Sequence, residues 1–143
     1  MNRILGRKKS DRNHLLRNLA TSLVLFEKID TTEAKAKEVK SFLDSIIARH
    51  KENNFNTIRS LNAIFFDRNA VDKIINELIP RYQGRASGFI KSYRLKNRLG
   101  DNSSMIRLEL VDRKVFVSKD SEIKETENQT EKAEKTTKSP RTK

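Results

Sequence analysis

The stretch Lys28-Ile29-Asp30-Thr31-Thr32-Glu33-Ala34-Lys35-Ala36-Lys37-Glu38-Val39 decides how this chain folds. An isoleucine followed closely by two β-branched threonines disfavours a continuing helix, so 28–32 reads as extended. Thr32 then stands where a helix cap belongs, and the helix it opens runs from Glu33 to about His50. Val39, Phe42, Leu43, Ile46 and Ile47 recur along it at three- and four-residue steps, the clearest apolar stripe in the sequence. Glu33 in the first turn and Arg49, His50 and Lys51 at the end suit the helix dipole.

Working outward, Leu16, Leu19, Ala20, Leu23 and Phe26, with Leu15 beside them, predict a helix over 11–27 capped by Ser10 or Asp11. Arg12 and Asn18 fall off that stripe and Arg17 lies near its edge. After Asn53-Asn54 breaks the pattern, a third helix over about 57–66 presents Ile58, Leu61, Ile64 and Phe65. A fourth over about 70–79 presents Val71, Ile74, Ile75 and Leu78, with Asp67 or Asn69 as cap and Pro80 just past its end.

The period then changes from helical to alternating. Phe89, Tyr93 and Leu95 share one parity, which Lys91 interrupts, while Ile106, Leu108 and Leu110 alternate cleanly with Arg107, Glu109 and Val111. The turn-rich segment 97–103 makes the two runs a β-hairpin, and the 29–32 strand is the natural third member, because two strands alone are marginal. The expected fold is α+β: about four helices packed on a small three-stranded sheet, within a domain of residues 1–113. Residues 114–143 are rich in Ser, Lys, Glu and Thr, and beyond Val117 the one large apolar residue is Ile123. They bury too little to offset ordering entropy, and a disordered polar tail is expected.

The 143 residues carry a net charge of +12, and its distribution is uneven. Residues 1–17 hold six bases and one acid, residues 81–107 seven bases and one acid, whereas 18–80 balance at nine of each. A surface charged only for solubility would mix both signs throughout. Clustered excess charge repels itself unless a polyanion relieves it, which points to a nucleic-acid partner. The candidate phosphate contacts are Arg3, Arg7, Lys8, Lys9, Arg12, His14, Arg17 and Asn18 in the first segment. In the second they are Arg81, Arg85, Lys91, Arg94, Lys96 and Arg98. An Arg fork takes two phosphate oxygens and a Lys neutralises one. Gly84 and Gly88 would let a sugar-phosphate chain approach closely. Phe89 and Tyr93 could stack on bases, though the same parity is more often core, and an aromatic content of 6% argues against a stacking platform.

Other chemistries find little support. With no Cys, disulfide scaffolds, thiolate metal sites and thiol nucleophiles are excluded. His14 and His50, the two histidines, lie on separate predicted helices with no carboxylate at a shared spacing, so neither reads as catalytic or metal-binding. His50 reads as a helix-end cation. Gly6-Arg7-Lys8-Lys9-Ser10 lacks the upstream glycine and buried strand of a phosphate loop. No enzyme, cofactor or small-molecule substrate is expected. No apolar run approaches the roughly 18–20 residues of a membrane span, and the basic segments lack an apolar face to insert. The start carries neither a secretory signal nor an Arg/Ser-rich leader, so a soluble protein of a bacterial cytoplasm is expected.

Five blocks, in order and spacing, resemble the bacterial-type ribosomal protein seventeen family of the large subunit. They are Arg17-Asn18-Leu19-Ala20-Thr21-Ser22-Leu23, the stretch from Ile29 to Glu38, Pro80-Arg81-Tyr82, Gly88-Phe89-Ile90, and Gly100-Asp101-Asn102 leading to Ile106–Val111. The resemblance spans about residues 7–112. It implies helices on a small sheet, a structural role binding large-subunit ribosomal RNA beside neighbouring ribosomal proteins, and a position near the nascent-chain tunnel exit. The family's basic start maps onto Arg7, Lys8, Arg12, His14 and Arg17. Where the family opens with a longer basic lead, this chain reads Met1-Asn2-Arg3-Ile4-Leu5, so a deep N-terminal RNA contact is expected to be missing. The alternative is a free-standing RNA- or DNA-binding regulator. The charge-balanced helix 33–50 disfavours it, because it offers no basic recognition face.

Overall fold

A computed structural model describes residues 3–52 and 54–113. Four helices and three strands follow one another: α1 (Lys9–Phe26), β1 (Lys28–Thr32), α2 (Glu33–Arg49), α3 (Phe55–Ile64), α4, β2 (Ile90–Arg94) and β3 (Met105–Leu110). Helix α4 is composite, with an α-helical start Arg68–Lys73, a π-helical middle Ile74–Leu78 and a last turn Ile79–Arg81. The α+β architecture predicted from the sequence is present. The expected tail, 114–143, lies outside the described residues.

Strand β1 passes directly into α2 at Thr32, whose backbone is extended as a cap requires. Its hydroxyl makes no capping bond, however. The Glu33 N–H donates instead to the Ser104 carbonyl at 3.0 Å, so the sheet closes the helix start. The same displacement occurs on α1: its cap position is Lys8, not Ser10 or Asp11, which fall inside the first turn. Asp67 does cap α4, accepting from the Asn69 N–H at 2.9 Å.

The sheet is antiparallel with order β1-β3-β2, and β3 is its centre. Ile106, Leu108 and Leu110 of β3 turn one buried face toward the helices, opposite Thr31 and Ile29 of β1 and Ile90 of β2. This register corrects one expectation. Ile90, Ser92 and Arg94 share the inward parity, so Tyr93 faces outward and is 47% exposed. Phe89 is core for a different reason. Gly88, at φ +74°, turns the chain inward just before β2. The Phe89 N–H then donates to Asp44 Oδ1 at 3.1 Å, and its ring packs on Tyr82 with centroids 5.1 Å apart.

Helix boundaries also shift. α3 ends at Ile64, leaving Phe66 in a loop, and Phe26, last residue of α1, is 70% exposed while Val24 is buried in its stead. Pro80 does not terminate α4 but sits in its last turn. Proline lacks an N–H and clashes with the carbonyl four residues back in a regular helix. The wider π turn just before it relieves that conflict, with the Ile79 N–H bonding the Ile74 carbonyl. His50 closes α2 as a buried bridge to α3. Its Nδ1 lies 2.8 Å from the Ile46 carbonyl, and its Nε2 lies 2.7 Å from Ser60 Oγ on α3.

Candidate nucleic-acid interface

The start of α1 gathers cations against its own dipole. Leu5 and Gly6 adopt left-handed backbone, the Arg7 N–H bonds the Ile4 carbonyl at 3.2 Å, and this turn delivers the chain to the cap at Lys8. Lys8, Lys9 and Arg12 thus surround a helix N-terminus where a positive end already exists, and the one acid in the first turn is Asp11. Cations there are unfavourable by about 0.3–1 kcal/mol each, and the first amides have no side-chain cap. Lys8 and Lys9 are exposed and Arg12 half-buried. Among the described residues none of Arg7, Lys8, Lys9, Arg12 or Arg17 forms an ion pair with a carboxylate. Such an end suits an anion.

Farther along α1, His14 and Arg17 face the α3–α4 loop. The imidazole lies parallel to the Phe66 ring, 5° between planes and 5.4 Å between centroids, and the Arg17 guanidinium carbon is 5.6 Å from the same ring. Asn18 is exposed. Arg3 is exposed and weakly engaged with Glu38 at 3.8 Å.

The second basic segment divides. Arg81 is turned inward. Its two terminal nitrogens donate to Glu27 at 3.2 and 3.3 Å, and it also pairs with Glu77 at 3.6 Å. Glu27 is buried, with left-handed backbone at φ +57°, at the turn from α1 into β1. Lys73 joins it at 3.0 Å and donates to the Leu25 carbonyl at 2.9 Å, satisfying an end of α1. Arg98 is held by Asp101 across the hairpin tip, with Nε to Oδ1 at 3.1 Å. That fork holds the Asp101 carboxyl far below the usual carboxylate range. Arg107 forks onto Asp30 at 2.7 and 2.9 Å and lowers its pKa likewise.

Arg85, Lys91, Arg94 and Lys96 remain exposed. Arg85 donates to the Gly88 carbonyl at 3.3 Å, and Lys91 lies on the outer sheet face opposite Glu109. Arg94 lines a groove with Lys37 and Lys40 between α2 and the edge strand β2. Near Arg3, the start of α2 and residues 102–104 of the hairpin form another concavity, so the N-terminal segment reaches the hairpin end of the fold. Sequence reasoning did not single out Lys37, which pairs with Glu33 at 2.6 Å, or Lys40 and Phe66. The two lysines sit in a charge-balanced helix, and Phe66 was expected inside α3. Among the described residues, no group of three or more His, Asp or Glu side chains could hold a metal, and no helix is long and apolar enough to cross a membrane.

The family model described as Ribosomal protein L17 matches residues 15–111. The large ribosomal subunit protein bL17 of Amoebophilus asiaticus is 39% identical over 126 residues, covering 88% of this chain and 65% of the relative. That of Wolinella succinogenes is 38% identical over 109 residues, covering 76% of this chain and 94% of the relative. That of Syntrophotalea carbinolica is 39% identical over 110 residues, covering 77% and 71%. The family match takes in α1 from residue 15 onward and the whole three-stranded sheet, and the chain belongs to the ribosomal protein L17 family of the large ribosomal subunit.

Proposed function

We propose that this chain is a structural constituent of the large ribosomal subunit that binds ribosomal RNA mainly through phosphates, with no catalytic role. The observation that carries the reading is the start of α1, where Lys8, Lys9 and Arg12 crowd the positive end of a helix without carboxylate partners. That arrangement is electrostatically unfavourable in isolation and favourable against a polyanion. Arg7, Arg17, Arg85, Lys91, Arg94 and Lys96 extend the contact, and Arg3, His14 and Asn18 flank it. Arg81 and Arg98 contribute through the fold, as partners of Glu27 and Asp101. The mechanism is counterion release combined with a rigid helix–sheet body that fixes RNA segments relative to one another. Neighbouring large-subunit proteins, a place near the nascent-chain tunnel exit and a bacterial cytoplasm complete the reading, as the family resemblance implies.

Sedimentation of a cell lysate through a sucrose gradient tests it. Co-migration of the protein with the large particle is expected. A purely free pool would favour a free-standing regulator instead.

A further inference from the structure

Phe66 is 57% exposed although Phe65 beside it is buried. What approaches its ring from α1 is polar: the parallel imidazole of His14 and, one helical turn on, the guanidinium of Arg17. Phe66 also lines an open cleft of about 450 Å³ between α3 and α4, together with Ile58, Phe65 and Val71 and three polar residues, Asn62, Arg68 and Asp72. Arg17 and Arg68 form no ion pair with a carboxylate among the described residues.

An apolar protein segment laid on this ring would have to desolvate both guanidinium groups without compensation. A nucleotide matches every element present. Its base offers a π face to Phe66, its edge offers donors and acceptors to Asp72 and Asn62, and its phosphate meets the flanking arginines. In a duplex the base faces are covered by neighbouring pairs, so the occupant must be unpaired. We propose that the Phe66 cleft receives one unpaired RNA nucleotide, stacked on the ring and held by Arg17 and Arg68. The proposal rests on the RNA-binding reading above and adds to it a position that senses RNA structure rather than charge alone.

The test compares the full chain on two RNA hairpins with the same number of phosphates, one fully paired and one carrying a single-nucleotide bulge. Stacking should favour the bulged hairpin by roughly tenfold at fixed salt. Phe66→Leu, at an exposed position, should abolish that preference and leave affinity for the paired hairpin within about twofold. Equal binding of both hairpins by the unaltered chain, as a protein occupant of the cleft would give, overturns the proposal. A preference that survives Phe66→Leu also overturns it. If neither hairpin binds with salt dependence, the phosphate-binding reading itself fails and takes the proposal with it.

Discussion

The Glu27 carboxylate and the Arg81 guanidinium meet in a two-bond fork, 3.2 and 3.3 Å long, with the two side chains 2% and 13% exposed. The pair ties the end of α1 to the last turn of α4, and Lys73 closes it from a third side. Glu27 also supplies the backbone carbonyl that accepts from the Leu110 N–H of β3 at 3.0 Å, so this one turn connects helices and sheet. Breaking a buried pair by removing one partner leaves an uncompensated charge and costs about 3–5 kcal/mol. Glu27→Gln and Arg81→Ala should each reduce the free energy of unfolding by about that amount, read as a lower urea midpoint with an unchanged slope of the transition. Unchanged midpoints would show the knot to be incidental.

Tyr82 fastens the end of the domain. Its hydroxyl donates to the Val111 carbonyl at 2.5 Å, from a ring only 2% exposed, while the Val111 N–H reaches the Phe89 carbonyl at 2.9 Å. Tyr82→Phe keeps the packing and strands a buried acceptor, so a loss of about 1–3 kcal/mol is expected in the same titration.

Acid should weaken the outer sheet face. Arg107 holds the Asp30 carboxyl below its usual range, so the folded pKa lies under the unfolded one. The pair's contribution is therefore present above the unfolded value, about 4, and is lost as pH falls through the folded value. Asp44 has the opposite sign. Burial raises its pKa despite the Phe89 N–H, so its contribution is present at low pH and lost as pH rises through the folded value. Melting temperatures between about pH 5 and 2 should fall less steeply in Arg107→Met and more steeply in Asp44→Asn. Parallel curves for all three proteins would contradict both assignments.

Much of this was legible in the sequence because periodicity reports burial directly. The stripe from Val39 to Ile47 and the alternation of Ile106, Leu108 and Leu110 both mark buried faces. Capping was less legible. Thr32 and Ser10 have the right chemistry, but at Thr32 the Ser104 carbonyl takes the helix-start N–H of Glu33 in place of the hydroxyl, and on α1 the cap position falls at Lys8. The charge of Arg81 was visible and its partner was not, since Glu27 lies 54 positions away in sequence. Phe66 gave no signal, because it stood at the end of the expected third helix, outside the stripe of Ile58, Leu61, Ile64 and Phe65, whereas the helix stops at Ile64.

The account stands or falls on unpaired cations at the start of α1 acting on phosphates. If about six phosphates are neutralised, log affinity for large-subunit ribosomal RNA should fall against log salt with a slope near −4 to −5. Lys8→Ala, Lys9→Ala and Arg12→Ala combined should reduce that slope by about 2 to 3, with a melting temperature that does not fall, since these cations oppose the helix dipole. Filter binding over a salt series reads both slopes. A flat line for the unaltered protein, or identical slopes for the two proteins, would contradict the claim.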